Sequence, residues 1–546
     1  MRPFHENGHF HLFDTGEGLR RAAVRGAGAA VAGQTANFLA GIGSVVVLAR
    51  LLTPADFGVV TMVTTVSLLF RSFGLNGFTE LIIQRNDVTH SLASNIFWIN
   101  LGIGAILTIA FAGAGHLLAL FYHDPLVTNV AVWMSLTIGI GSLGYIHLGL
   151  LQRAMHFRSI AVINFCGQLL QVIASIVFAL AGWHYWALVW GSILQTAAVT
   201  AGSWVVCAWV PARPGRASGT RSSVSFAMHV YSHFVSSYLK CNADNLLVGW
   251  RYGAQWLGFY KKAYDMFILP VTQLQAPVTA VVISTLSRVS HDRAQFQRYF
   301  LRSISVLALV GLGVGADFAL VGQDIFRILL GPGWEQAGRI FALFGPGIGI
   351  MLLYNTHGWI HLSIGHPERW LRWGVLEAVF TIGLFLLGLQ WGPSGVALAW
   401  TVSFFVLMLP GFWYAGQPIG LKIAPIFSAI WKYFVASAGA GILTALFSRA
   451  FAFYGSKSGL RYAVLDAIVV STTLFALYLG AVFVLHRGIR PFQETFSLMR
   501  ELLPHSQNQH AAPAVTDLPP DSIERTVKPA LPPELPVVLG NARKRS

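Results

Sequence analysis

About fourteen apolar stretches, each roughly long enough to cross a bilayer, fill this chain from Gly28 to Leu485, and the Lys and Arg residues between them fall mainly on every second connection. No other feature limits the fold as much. Hydrocarbon offers no partner for an unpaired backbone N–H or C=O, so each stretch is expected to be a helix. The runs are too long and too uniform for barrel strands. The predicted spans are approximately 30–52, 58–82, 94–120, 127–151, 160–181, 186–210, 224–250, 264–287, 302–323, 339–362, 371–391, 394–415, 428–450 and 463–485.

Composition removes most other classes. Only 11% of the 546 residues are charged and 55% are hydrophobic, whereas a soluble domain carries about a quarter charged residues. Almost no soluble segment remains to house enzyme chemistry, and no catalytic residues are expected. The net charge of +15 would raise the question of nucleic acid in a soluble protein. Here no zinc-finger spacing or basic helix supports it, and basic loops beside an anionic leaflet account for the charge. Cys166, Cys207 and Cys241 make neither a metal spacing nor a disulfide framework and read as small buried hydrophobes. No metal or cofactor is expected. Residues 1–25 lack an apolar core followed by a cleavage site, so no removable signal is predicted; Arg20, Arg21 and Arg25 read as an anchor for the first span.

With the N-terminus inside, the inner segments hold Arg85, Arg153, Arg158, Arg213, Arg216, Arg221, Arg288, Arg293, Arg298, Arg302, Arg369, Arg372, Lys422, Lys432, Arg487 and Arg490. The exceptions are the outer connections after spans seven (Arg251, Lys261, Lys262), nine (Arg327, Arg339) and thirteen (Lys457, Arg461). The bias predicts cytoplasmic termini. From about Pro491 the chain is polar and proline-rich and is expected to be a disordered tail.

Two short echoes indicate an internal repeat. Gly144-Tyr145-Ile146-His147-Leu148 ends the fourth span and Gly358-Trp359-Ile360-His361-Leu362 ends the tenth. Phe57-Gly58 opens the second, and Leu257-Gly258-Phe259-Tyr260 stands shortly before the eighth. Span n thus resembles span n + 6, and six is even, so both halves enter the membrane in the same orientation. The expected organisation is an N-terminus (1–27), an N-lobe (28–210), an inter-lobe loop (211–223), a C-lobe (224–415), two further spans (416–487) and a tail (488–546).

Polar residues line up inside apolar helices. In span seven His229, His233, Ser236, Lys240 and Asp244 share one helical face. A lipid-facing charge at mid-bilayer costs roughly 2.5–3.5 kcal/mol, so that face must meet protein or water. Lys240 and Asp244 could equally form a private ion pair. Span five carries Asn164, Gln168, Gln171 and Ser175, which serve either helix association or ligand contact. Arg50 and Arg71 have no acidic residue at helical spacing on their own spans, and a guanidinium in a wet cleft suits a phosphate. His147 and His361 read as satisfied interfacial histidines. Asp317, Glu377 and Asp466 are proton or cation sites, or are paired with neighbours.

The segment Ala49-Arg50-Leu51-Leu52-Thr53-Pro54-Ala55-Asp56-Phe57-Gly58 resembles the first-to-second span junction of bacterial polysaccharide exporters, the Wzx-like flippases. So do Gly74-Leu75, Leu81-Ile82-Ile83-Gln84-Arg85, Leu150-Leu151-Gln152-Arg153 and His156-Phe157-Arg158. Asn242-Ala243-Asp244-Asn245-Leu246-Leu247-Val248-Gly249 with Leu257-Gly258-Phe259-Tyr260 and Ala263-Tyr264 resembles the seventh-span signature. Leu330-Gly331-Pro332-Gly333-Trp334 and Ile364-Gly365-His366-Pro367 fit later span borders. Ser284-Thr285 stands where these proteins often have Phe-Pro, and the long tail is not a family feature.

The resemblance covers roughly residues 30 to 487. It implies the all-α fold of the multidrug/oligosaccharidyl-lipid/polysaccharide exporter superfamily: two six-helix lobes around a central cavity, plus two C-terminal helices, in the bacterial cytoplasmic membrane. The implied cargo is an undecaprenyl-diphosphate-linked oligosaccharide flipped to the outer leaflet for exopolysaccharide or lipopolysaccharide synthesis, with polymerase and glycosyltransferases as partner enzymes. Arg50, Arg71 and Lys240 would meet the phosphates, Asn164, Gln168 and Gln171 the sugars, and Asp244 a coupling ion, with His233 a further substrate-binding candidate. The rival readings are a multidrug/cation antiporter or a lipid II flippase of the same fold, and more distantly a membrane polymerase or ligase.

Overall fold

The structure, a computed structural model, describes residues 3–4, 10, 17–85, 88–215, 220–450 and 459–502. Residues 503–546 of the expected tail lie outside the described residues, as do the side chains of His229, His233, Ser236 and Lys240. The first part of that tail is not disordered: Arg490–Leu502 is helical, with Pro491 in the first turn, where its missing N–H costs nothing, and Arg302 donating to the Ser497 hydroxyl at 2.6 Å. Met1–Ser497 form one unit and Leu498–Ser546 another.

The chain runs through α1 (Glu17–Leu51), α2 (Pro54–Ser72), a π-helical turn (Phe73–Phe78), α3 (Thr79–Gln84), α4 (His90–Tyr122), α5 (Leu126–Arg153), α6 (Phe157–Leu180) and α7 (Trp186–Val206). It continues through α8 (Thr220–Arg288), α9 (Arg293–Leu329), α10 (Glu335–Tyr354), α11 (His357–Ser363), α12 (Pro367–Gly388), α13 (Gly392–Gly416), α14 (Ile423–Ala450), α15 (Leu460–His486) and α16 (Arg490–Leu502). Among the described residues ten segments are long and apolar enough to cross a membrane, one of which, Glu368–Ile419, holds both α12 and α13. With α7 and the two arms of α8 counted separately, and α2–α3 and α10–α11 each taken as one broken span, the expected fourteen crossings are present. The outer surface is greasy, with Ile109 73% and Val379 71% exposed. Lipid is the solvent for such a surface.

Local sequence explains the breaks. Thr53 caps α2, its hydroxyl accepting from the Asp56 N–H at 3.3 Å while the Asp56 carboxylate accepts from the Thr53 N–H at 2.9 Å, and Pro54 takes the first turn. Asp56 here fills the third helical position that Glu or Gln usually occupies. α8 is two helices across Gly253, whose φ of 77° and ψ of −176° belong to a region open in practice only to glycine. The chain folds back there, since Tyr260 reaches Asp244 across sixteen residues. Arg153, at the end of α5, donates to the carbonyls of Ile82, Ile83 and Arg85 and so closes the end of α3.

Helix packing repeats the sequence echo. In the first half α4 packs on α5, α5 on α7, α6 on α7 and α2 on α5; in the second, α9 packs on α10, α10 on α13, α12 on α13 and α8 on α10. Each contact recurs with its partners six spans later. α14 and α15 pack on each other and on α9, outside the repeat. The halves meet chiefly where α2 runs along α8.

One expectation about charge is corrected here. Lys261 and Lys262 are not loop residues after span seven: the helix resumes at Ala254, and both lie inside the second arm of α8, with Lys262 only 9% exposed. The apolar run begins later in the sequence because these two lysines interrupt it, although the helix does not wait for it.

Candidate functional site

Along the α2–α8 seam, side chains of one half reach the backbone of the other. The Tyr231 and Tyr238 hydroxyls, on the first arm of α8, donate to the α2 carbonyls of Leu69 at 2.9 Å and Thr65 at 3.0 Å. Ser/Thr-rich α2 bends its own hydroxyls onto its backbone (Thr61 to Phe57, 2.8 Å), leaving the Thr65 and Leu69 carbonyls to accept from across the seam. Arg71, half-buried on α2, lies near the hydroxyls of Tyr145 on α5 and Tyr238 on α8. Among the described residues no ion pair includes it.

Asp244 is fully buried. Its carboxylate accepts from the Tyr260 hydroxyl at 2.7 Å, the Trp400 indole N–H at 2.8 Å and the Asn245 N–H at 2.8 Å. It therefore ties both arms of α8 to α13. Tyr264, Phe267, Phe344 and Trp400 pack around this knot. Beside it Lys261 pairs with Asp265 at 2.5 Å, and the Lys262 ammonium sits over the Phe57 ring, 4.1 Å from its centroid.

The other predicted residues are placed differently. Arg50 lies at the end of α1, exposed, donating to the Ile328 carbonyl at 2.9 Å. It lines a crevice of about 840 Å³ with Thr53, Arg327, Trp334 and Glu335, apart from Arg71. Gln168 accepts from the Gln195 amide at 3.0 Å and so joins α6 to α7; Gln171 packs on Gly191 of α7, and Asn164 is exposed. The described contacts of Gln168 and Gln171 are thus helix association. Lys240 and His233 lie outside the described side chains.

His147 and His361 are both fully buried. His147 stacks on Trp204 and approaches the Trp209 carbonyl at 3.2 Å, whereas neither ring nitrogen of His361 has a hydrogen-bond partner among the described residues. Cys207 is buried, but Cys166 and Cys241 lie on the surface. No cluster of three or more metal-ligating side chains occurs among the described residues. Sequence reasoning missed Tyr260, Trp400, Lys262 and Trp334. The one available signal was the pair of lysines breaking an otherwise apolar helical period one turn after Gly258.

Two halves of one design, joined along a seam that holds cations and a buried carboxylate, match a known family. Residues 47–339, more than half of the chain, fit the family described as polysaccharide biosynthesis protein. The chain belongs to that family. Among curated proteins it is 26% identical over 410 residues to the teichuronic acid biosynthesis protein TuaB of Bacillus subtilis, covering 73% of this chain and 84% of the relative. It is 22% identical over 393 residues to the succinoglycan biosynthesis transport protein ExoT of Rhizobium meliloti (72% and 79%). With the lipopolysaccharide biosynthesis protein WzxC of Escherichia coli it shares 20% over 385 residues (68% and 77%). Among solved structures, the fold is that of the lipid II flippase MurJ in its inward closed conformation, with a TM-score of 0.65 at 15% identity, covering 84% of this chain and 99% of that one. An inward-facing multidrug transporter of the MATE family and MOP superfamily also matches, with a TM-score of 0.56 at 15% identity (70% and 94%). This family member therefore has the two-lobed fold that the sequence resemblance implied.

Proposed function

We propose that this family member is a flippase. It carries a polyprenyl-diphosphate-linked oligosaccharide from the inner to the outer leaflet of the bacterial cytoplasmic membrane, by alternating access, for exopolysaccharide or lipopolysaccharide synthesis. The observation that carries the reading is the seam: two repeated halves face one another with Arg71 close enough to Tyr145 of one and Tyr238 of the other for its charge to act on both. Rocking of one half against the other exposes such a seam to each side in turn. The names of the relatives, one of them a succinoglycan transport protein, support polysaccharide as the material handled. An antiporter for organic cations is disfavoured because Arg71 and Lys262, which enter no ion pair among the described residues, add positive charge to the seam. No enzyme activity is assigned.

In this reading the lobes are 28–210 and 224–415, both termini are cytoplasmic, and polymerase and glycosyltransferases act before and after the flip. Arg71 and Lys240 receive the diphosphate, Arg50 acts at the far end of the path, and Asn164, Gln168, Gln171 and His233 are assigned to the sugars. Asp244 is the coupling group, since a carboxylate held by two side-chain donors can exchange one of them for a cation. Asp244→Asn, which keeps shape but not charge, is then expected to abolish uphill transport while passive flipping persists; equal uphill transport by the variant removes the coupling role.

The function itself is tested in a deletion strain. Lipid-linked oligosaccharide is expected to accumulate on the cytoplasmic leaflet and to clear when the chain is restored. Normal polymer at the surface of the deletion strain, with no accumulation, would refute the reading.

A further inference from the structure

One end of the seam is built twice over. Ala49, Pro54 and Gly58 of the first half correspond to Gly249, Ala254 and Gly258 of the second, each two hundred residues on. The last two members of each triplet cross: Gly58 meets Ala254, and Gly258 meets Pro54. A Cβ on Gly58 would collide with the Ala254 carbonyl oxygen, and a Cβ on Gly258 would collide with the Pro54 carbonyl oxygen. Backbones approach this closely only through glycine.

Each half also lays an aromatic residue over the other. Trp334, from the connection between α9 and α10, is 1% exposed; its indole N–H donates to the Ala49 carbonyl at 2.8 Å. Its ring meets Phe57 and Phe259 with centroids 5.6 Å and 6.0 Å away. Tyr122, from the end of α4, is 2% exposed and packs on Gly249, where a Cβ would come within 2.8 Å of the ring, while the neighbouring Phe121 stacks on Trp250. Both keys come from the connection between the third and fourth spans of their half. Both land on the end of the other half's first span.

Directly beneath lies Lys262, one turn past Gly258. The nearest carboxylate on its helix, Asp265, is held by Lys261, and among the described residues no ion pair includes Lys262. Its ammonium faces the Phe57 ring. A ring face compensates only part of the desolvation of a buried ammonium, so an anion that reached it would be strongly attracted.

We propose that this crossing is a gate pinned shut by Trp334 and Tyr122, and that opening it presents the Lys262 ammonium to the diphosphate of the cargo. Closure returns Lys262 to Phe57 and helps to dislodge the anion. The diphosphate rests on the flippase reading; the gate does not.

The test uses the full chain with Cys166, Cys207 and Cys241 replaced by alanine and Lys262→Cys added, probed with a membrane-impermeant maleimide in sealed vesicles of both orientations. With both keys present the introduced thiol is expected to be protected from the side that the gate closes. Trp334→Ala with Tyr122→Ala is expected to raise its labelling from that side by about tenfold, as a shift toward the open form requires. Trp334→Phe, which keeps the ring but loses the bond to Ala49, is expected to fall between and guards against misfolding of the double variant. Equal labelling with and without the keys, in protein of unchanged melting temperature, overturns the gate. For the anion, Lys262→Gln is expected to lower export about fivefold or more at equal protein level, with Lys262→Arg close to wild type. Full export by Lys262→Gln overturns that part. If the flippase reading itself is wrong, the labelling result stands, while the wild-type chain restores no export to the deletion strain.

Discussion

Asp244→Ala is expected to cost about 2–4 kcal/mol of stability, the largest loss from any single truncation at the seam. The variant removes the one acceptor shared by the Tyr260 hydroxyl and the Trp400 indole, both buried in the packed aromatic knot. Each orphaned donor carries its own desolvation penalty, and interhelical hydrogen bonds in membrane proteins reach about 1.7 kcal/mol at most, so two of them plus a cavity set the range. Tyr260→Phe and Trp400→Phe remove a donor together with its need and are expected to cost about 0.5–1.5 kcal/mol each. Thermal melting in detergent, followed by tryptophan fluorescence, ranks the three variants. A double-mutant cycle between Asp244→Ala and Tyr260→Phe should leave clear coupling, because the second change cures the orphan left by the first. Additive losses would mean that the knot is not the unit described here.

Arg71→Gln is expected to lower export about tenfold or more at equal protein level, whereas Arg50→Gln should change it less than about threefold. Both arginines carry the same charge on apolar spans and cannot be ranked in the sequence. Arg71 is half-buried near hydroxyls of both halves and enters no described ion pair, so its charge is available to a ligand. Arg50 is exposed and spends a donor on the Ile328 carbonyl, so the substitution loosens the contact between the ends of α1 and α9 instead of emptying a binding position. Export of labelled polymer in the complemented deletion strain separates them. Equal effects of the two substitutions would contradict this division of roles.

The repeat illustrates how far the sequence reached. One five-residue echo and a shorter one around Gly58 and Gly258 indicated that span n matches span n + 6, and the packing of α4, α5 and α7 against that of α9, α10 and α13 agrees. The echoes did not reveal that Gly58 and Gly258 touch the opposite half, because a repeat relates residues that are alike and says nothing of which ones meet. Asn164, Gln168 and Gln171 present the same limit from the other side. Their helical spacing placed them on one face, but whether that face meets a cavity or a neighbouring helix depends on α7, and Gln195 supplied the partner. His361 was read as satisfied at an interface; it is buried without a described partner because Tyr414 and His357 surround it with rings.

Hydropathy alone determined that this chain is a membrane bundle of about fourteen helices, since an unpaired peptide group in hydrocarbon leaves helices as the available solution for runs of this length. The tertiary structure decided which of its few charged groups are tied and which are left facing a ring or a seam. That outcome is a matter of ångströms between segments far apart in the chain: Asp244 with Trp400, Ala49 with Trp334, Lys262 with Phe57. Polarity can be read residue by residue, but the partner of a buried charge exists only once the helices have packed.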